Sequence, residues 1–320
     1  MNKILIIQTA FIGDVILATA LLEKLHQFYP ATKIDFLVRK GNEGLLVDHP
    51  YLNEVLIWDK KEKKYAHLKA LSIRVKQQRY DVVVNLQRFA SSGMITAFSG
   101  AKEKLGFKKN PLSFSFTKSV EHTIGDGTHE VERNQQLITH LTDGKALKPK
   151  LHPTDKDYTA VEAYKKNDYV CMAPTSVWAT KELPKEQWVK LLNKTKEDTT
   201  IYLLGGPVDA DQCEEIKQLS THKKAVNLSG KLSFLASAAL MEHAQMNYVN
   251  DSAPLHIASA MNAPVTAYFC STVPSFGFGP LSERQTIVEV QEQLDCRPCG
   301  LHGKKECPKG HFDCGFKIEV

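Results

Sequence analysis

The apolar positions fall into two alternating rhythms. Short continuous runs recur, first Ile4-Leu5-Ile6-Ile7, later Val55-Leu56-Ile57-Trp58 and the valines at 82–84 within a stretch spanning 80–86. Runs of this length, rich in β-branched residues, suit strands buried on both faces, as in a parallel sheet. A further strand is predicted at 33–38. Between the runs the spacing becomes helical, over 15–26 with Ile16, Ala20, Leu21 and Leu25 on one stripe, and over 66–78. The polar pair Gly13-Asp14 interrupts the pattern between the first strand and the first helix. After a weaker middle, a polar stretch at 149–155 with two prolines reads as a linker. The rhythm then restarts, with strands predicted at 169–173, 200–206, 246–250 and 265–269, and helices at 185–193, 209–218, 235–243 and 256–261.

Strands alternating with helices predict an α/β chain with parallel sheets. Its 320 residues exceed one ordinary core and suit two domains of roughly 150. The expectation is two βαβ domains in tandem, 1–152 and 153–320, with a cleft between them and ligands outside the carboxyl ends of the strands.

Composition narrows the function only a little. With 42% hydrophobic and 24% charged residues the chain is ordinary for a globular protein. No apolar run approaches the roughly 20 residues that span a bilayer. Residues 4–7 are too short for a signal-peptide core. A cytoplasmic location is expected, with peripheral contact at the inner membrane face as an addition. A net charge of +5 suits an anionic small ligand or an anionic membrane surface and falls short of a nucleic-acid binder. The stretch Lys60-Lys61-Glu62-Lys63-Lys64, continuing to Lys69, Arg74, Lys76 and Arg79, reads as a solvated helix face or as a membrane-facing patch.

Chemistry concentrates where a predicted strand meets a helix. Asn250-Asp251-Ser252-Ala253-Pro254-Leu255-His256 ends one strand and opens one helix, and unpaired amides with the helix dipole make such a junction an anion site. His256 adds a donor there, or else faces the core; Asp251 is an N-cap or a ligand-side group. Lys181, within 176–184, follows a strand and reaches a phosphate as a point charge, or is a surface lysine. Ser176 and Thr180 offer hydroxyls beside it. Asp14, after Gly13, is either the N-cap of the first helix or a carboxylate able to take a hydroxyl proton. Neither a dinucleotide fingerprint nor a nucleoside-triphosphate loop is present. Cys296, Cys299, Cys307 and Cys314, spaced C-x2-C-x7-C-x6-C with His302 and His311 interleaved, suggest structural zinc or reduced thiols.

Taken together these segments resemble glycosyltransferase family nine, the ADP-heptose:lipopolysaccharide heptosyltransferases. The likeness rests on Phe11 to Thr19, on His129-Glu130-Val131-Glu132-Arg133-Asn134, on Trp178-Ala179-Thr180-Lys181 with Pro184, on Asn250 to His256, and on the tail Cys296-Arg297-Pro298-Cys299 with Cys307-Pro308 and Gly310-His311. It implies a GT-B architecture of two Rossmann-like domains, the acceptor in the first and the donor in the second. It implies an inverting transfer that needs no metal or other cofactor, from an ADP-sugar to a lipid A/inner-core glycolipid, with no nucleic acid as partner. Asp14 then matches the general base and Lys181 the donor-phosphate lysine. Asp251, Ser252, Ala253 and His256 match the turn at the diphosphate, with Ala253 where glycine is usual and φ > 0 less tolerated. Leu232 matches an apolar position on the nucleobase, Asp209 an acidic one near the ribose, and Gly13 and Arg133 the acceptor side, unless Arg133 is a helix-surface arginine. Two alternatives remain at this level: a transferase or epimerase using UDP- or GDP-sugars, and a zinc-containing nucleic-acid-binding module.

Overall fold

The computed structural model describes residues 1–320. The chain divides into two compact units, residues 1–124 with 128–152, and residues 125–127 with 153–320.

In the first unit the apolar runs become a parallel sheet of β1 (Lys3–Ile7), β2 (Lys33–Arg39), β3 (Leu52–Trp58), β4 (Val82–Asn85), β5 (Glu103–Phe107) and β6 (Lys118–Val120), ordered β3-β2-β1-β4-β5-β6. Ile4 to Ile7 have no exposed surface, because helices cover both faces of their strand. The helices are α1 (Ile12–Phe28), α2 (Lys64–Gln77), α3 (Ala90–Ala97) and α4 (Glu130–Gln136). Asp35, the one acidic residue of β2, is fully buried and fully partnered. Lys3 lies 2.9 Å from its carboxylate, and Tyr80 and Asn53 donate to it at 2.6 and 2.7 Å.

The second unit repeats the plan with β7 (Tyr169–Ala173), β8 (Thr200–Leu203), β9 (Ala225–Asn227), β10 (Asn247–Asn250), β11 (Val265–Phe269) and β12 (Gln285–Glu289), ordered β12-β11-β10-β7-β8-β9. Its helices are α5 (Asp155–Val161), α6 (Lys185–Lys194), α7 (Ala210–Leu219), α8 (Phe234–Glu242), α9 (Ala253–Ala260) and the short α10 (Asp313–Phe316). The core between sheet and helices is built on Met172, Trp188, Leu192, Ile201, Leu203 and Ile216. Each sheet therefore has a point where the strand order reverses, between β1 and β4 and between β7 and β10. Loops leaving such neighbours diverge and open a crevice at the carboxyl edge.

Several boundaries differ from the sequence expectation, each for a local reason. Helix α1 begins at Ile12, so Gly13-Asp14 lies inside it and does not separate it from β1. Asp14 is the third residue of the helix and accepts the N–H of Phe11, the true N-cap, at 3.1 Å. A polar pair that looks like a break is a helix start. Likewise α9 begins at Ala253 with Ser252 as N-cap, which removes Asp251 from that role. Pro254 sits in the first turn, where its fixed φ is compatible and its missing N–H costs no helical bond. The strands β5, β6, β9 and β12 were not anticipated. β6, β9 and β12 are edge strands and β5 lies next to one, and all four carry charged or polar residues, so no apolar run announces them.

Candidate active site

In the second unit the loop after β7 is pinned at both ends by one buried side chain. Asn250, the last residue of β10, accepts the Leu183 N–H at 2.9 Å and donates to the Pro174 carbonyl at 2.8 Å. The loop is thus fastened across the β7/β10 reversal. Lys181 closes a 3-10 turn in it, and its Nζ lies 2.6 Å from Asp251 Oδ2; the side chains are 17% and 6% exposed. The same oxygen accepts the Thr272 hydroxyl at 2.6 Å. A cation held this way has its position set by protein contacts before any ligand arrives.

The helix end beside it is narrower as an anion site than spacing suggests. Leu255 N–H bonds the Ser252 carbonyl and Pro254 has no N–H, which leaves the amides of Ser252 and Ala253 at the terminus. The Ser252 hydroxyl does not cap its own helix. Ala253 is helical without a positive φ, so it fits without strain where glycine is usual. His256 lies one turn on, buried.

Around this centre the remaining residues fall into two groups. Ser176 and Asp209 converge on Glu182. Ser176 N–H donates to one Glu182 oxygen at 2.7 Å, and burial, with Asp209 adding its charge, raises the Glu182 pKa against its hydrogen bonds. Asp209 itself accepts the Gly206 N–H at 2.6 Å and closes the glycine turn after β8. A Cβ on Gly205 would lie 2.8 Å from that of Asp209, so only glycine allows the turn. Leu232 is half-buried in the turn before Ser233, the N-cap of α8. Thr180, by contrast, turns inward. It is buried, and its hydroxyl accepts from Lys304 N–H at 2.8 Å and from the Ser271 hydroxyl at 3.0 Å, which corrects its reading as a donor-side hydroxyl.

In the first unit the β1/β4 reversal is bridged by Gln87 donating to Gln8. Asp14 stands just beyond β1, and four cations stand beyond neighbouring strands: Arg39 at the end of β2, Lys60 after β3, Arg88 after β4 and Lys109 after β5. Asp14 acts electrostatically on Arg39 and on Lys109. Lys60 does not belong to the exposed basic stretch; its Nζ donates to the Thr9 carbonyl and hydroxyl at 2.8 and 2.9 Å. Burial, with Arg39 and Lys64 adding repulsion, pushes its pKa down to about 8. Lys61, Lys63 and Lys64 stay exposed. Gly13 is part of the first turn of α1.

Arg133 is not a helix-surface arginine. It is 2% exposed, with its Nε 2.8 Å from Glu130 Oε2 and a further bond to the Thr128 carbonyl. His122 meets the same carboxylate at 3.1 Å. Burial pushes the Glu130 pKa up, but His122 and Arg133 outweigh it and hold the carboxylate ionised. Lys109 meets His122 Nδ1 at 2.6 Å, which links this buried cluster to the cationic edge. Sequence reasoning named neither Arg39 nor Lys109. The signal was a basic residue at or just after a strand end, and for Lys109 the strand itself was not seen.

Glu23, His49 and His152 bring their donor atoms within 4.8 Å of one another. Tyr51 N–H donates to His49 Nδ1 at 3.3 Å, however, which leaves the proton on the Nε2 that faces Glu23. At 3.8 Å from Glu23 Oε1 that nitrogen is buried without a hydrogen-bond partner, while His152 Nε2 meets the same oxygen at 2.8 Å.

Two parallel six-stranded sheets of identical order, each with helices, make a GT-B architecture. The sequence profile of "Glycosyltransferase family 9 (heptosyltransferase)" matches residues 68–309. Lipopolysaccharide heptosyltransferase 3 of Escherichia coli is 27% identical over 281 residues, 82% of this chain and 82% of that protein. The solved E. coli ADP-heptose lps heptosyltransferase II superposes with a TM-score of 0.79 at 20% identity, covering 93% of this chain and 95% of that one. E. coli heptosyltransferase WaaC with ADP gives 0.72 at 19% identity, covering 89% and 92%. The chain belongs to glycosyltransferase family 9, the heptosyltransferase family, and is a glycosyltransferase.

Proposed function

We propose that this enzyme transfers a heptose, with inversion, from ADP-heptose to a hydroxyl of a lipid A/inner-core glycolipid at the cytoplasmic face of the inner membrane. The observation that carries the donor half is the Lys181 ammonium, pre-set by Asp251 and Thr272 beside the Ser252 and Ala253 amides. A diphosphate leaving group develops charge that such a group stabilises without a divalent metal. His256 adds a donor from the next turn. Asp209 meets the ribose and Leu232 the nucleobase; Ser176 positions the loop. Relatives named for ADP-heptose or bound to ADP support this choice of nucleotide.

The acceptor half rests on the first unit. Asp14 takes the proton of the attacking hydroxyl, which donates its electron pair to the anomeric carbon as the bond to the diphosphate breaks. The carboxylate sits in the first turn of α1, and its charge acts on Arg39 and Lys109. Arg39, Lys60, Arg88 and Lys109 present positive charge to an acidic sugar acceptor, while Arg133 supports the edge from within. The transfer itself is assigned no metal; a zinc in the cysteine tail stays outside the chemical step.

No helix is long and apolar enough to cross a membrane. Peripheral contact falls to α2 and the turn before it, where Lys61, Lys63 and Lys64 are exposed beside a 78% exposed Tyr65. Replacing the three lysines by Gln should weaken binding to anionic vesicles, and unchanged binding refutes the contact.

The test of the whole reading is transfer to a truncated glycolipid acceptor, followed by mass, with ADP-heptose, a UDP-sugar and a GDP-sugar in parallel. Thermal stabilisation by ADP, UDP and GDP accompanies it. Product from ADP-heptose alone and preferential stabilisation by ADP are expected. A preference for UDP or GDP overturns the donor assignment.

A further inference from the structure

The cysteine tail does more than close the chain. Cys296, Cys299, Cys307 and Cys314 are all free thiols, and all four line one cavity of about 220 Å³ together with Lys304, Lys309 and His311. The thiols ring this cavity without converging on a point. His311 stands 3.9 Å from Cys296 Sγ through Nε2. Its Nδ1 lies 3.0 Å from the Asp313 N–H. The same Nδ1 also lies 3.1 Å from Asp313 Oδ1, so the ring is held between Asp313 and the Cys296 sulfur. Lys304 and Lys309 add positive charge around what would be a doubly negative tetrathiolate site.

The segment between the cysteines is tied to the donor loop. Thr180 N–H donates to the Lys304 carbonyl at 3.1 Å and Lys304 N–H returns to the Thr180 hydroxyl at 2.8 Å. Cys299 N–H bonds Ser271 O at 3.0 Å, and Arg297 donates to Cys270 O at 2.6 Å and Thr272 O at 2.7 Å. Gly303 packs so closely that a Cβ there would lie 2.5 Å from Trp178 Cβ and 2.6 Å from Lys181 Cγ. The strap from 300 to 306 therefore lies on the stem of Lys181. Its two ends carry Cys299 and Cys307.

We propose that the four cysteines bind one zinc ion, and that this ion clamps the strap whose Gly303 and Lys304 position Lys181 for the donor diphosphate. The second half rests on the reading of Lys181 as the donor lysine. Binding releases the thiol protons and draws the sulfurs inward, which fixes the two ends of the strap relative to α10. Zinc does no chemistry on the sugar. Cys296, Cys299, Cys307 and Cys314 are ligands; Gly303 and Lys304 are positioning residues.

The experiment is metal analysis of the full-length protein purified anaerobically without an affinity metal, followed by ADP titration. About one zinc per chain is expected, falling below about a tenth in Cys299→Ser/Cys307→Ser. Chelation of the wild type should weaken ADP binding about tenfold and raise the donor KM with the acceptor KM unchanged, and zinc should restore both. Far-ultraviolet circular dichroism shows whether the variant is folded, and the reversible chelation of the wild type keeps the test open if it is not. Less than a tenth of an equivalent of zinc, one equivalent of iron in its place, or a Cys299–Cys307 disulfide in the anaerobic protein overturns the zinc site. Zinc that can be removed without any change in ADP affinity overturns the positioning role alone. If Lys181→Ala leaves ADP affinity unchanged while zinc is present, the donor reading has failed and the metal site has not.

Discussion

Lys181→Ala separates a structural from a functional role within one ion pair. In the folded protein Asp251 is 6% exposed on its side chain and faces Lys181 at 2.6 Å. Truncating the lysine leaves that carboxylate with the Thr272 hydroxyl and no counter-charge. Breaking a fully buried pair costs about 3–5 kcal/mol, because a charge remains without water. Here the ammonium side is 17% exposed, so water reaches the vacated space and a cost of about 2 kcal/mol is expected. For a unit of this size that is about 4–8 °C in Tm. Asp251→Asn removes the charge that needs compensation, so Lys181→Ala made in that background should cost at least about 1 kcal/mol less. For ADP, loss of a charge-assisted contact is worth roughly 1.5–3 kcal/mol. Because Asp251 already neutralises part of Lys181 in the free enzyme, the lower end applies, about tenfold in Kd. Asp251→Asn, which frees the ammonium, should bind ADP at least as tightly as the wild type. Urea unfolding gives the stability cycle and calorimetric titration gives Kd. A coupling below about 0.5 kcal/mol would show that the pair has no energetic content. An ADP Kd within about twofold of the wild type in Lys181→Ala would refute the phosphate contact.

Three further outcomes follow from the same geometry. Asp14→Asn preserves an acceptor for the Phe11 N–H, so the fold should hold and ADP affinity should stay unchanged, while turnover falls by about a hundredfold or more; a variant that keeps most of its turnover excludes Asp14 as the base. Lys60, with a pKa pushed down to about 8, loses its charge as the pH rises through 8, so the acceptor KM should climb above that pH in the wild type and show no such step in Lys60→Met. His49 is buried and its pKa is lowered to about 3 against 6.5 in the unfolded chain, so between these values the unfolded state binds more protons. Stability should therefore fall as the pH drops below 6.5, by up to about 1.4 kcal/mol per pH unit from this group, and His49→Leu should flatten that part of the urea-midpoint profile.

The strands of the sheet interiors were readable from the sequence because burial on both faces leaves mostly apolar residues there. Ile4 to Ile7 and 169–173 are such runs, and so are the valines of β4. The same physics explains the failures. β5, β6, β9 and β12 lie away from the sheet centres and carry charges, as in Glu103-Lys104, so their pairing is decided by neighbouring strands and leaves no local mark. Gly13-Asp14 misled because a capping carboxylate and a chain break use the same residue types, and only the bond from Phe11 N–H tells them apart.

The candidate site divides in the same way. Residue types at strand ends pointed to Asp14, Lys181 and the Asp251 turn, since a strand's carboxyl end followed by a helix is a local pattern. Partnership is not local. That Lys181 is held by Asp251, seventy positions away, that Asn250 pins both ends of the loop, and that Thr180 is spent on the tail could be decided only by the order of strands in the second sheet. Arg133, matched to the acceptor side or else to a helix surface, is a buried charge because Glu130 and His122 close around it. Sequence periodicity records which residues leave water, and a charge that leaves water with its partner is invisible to it.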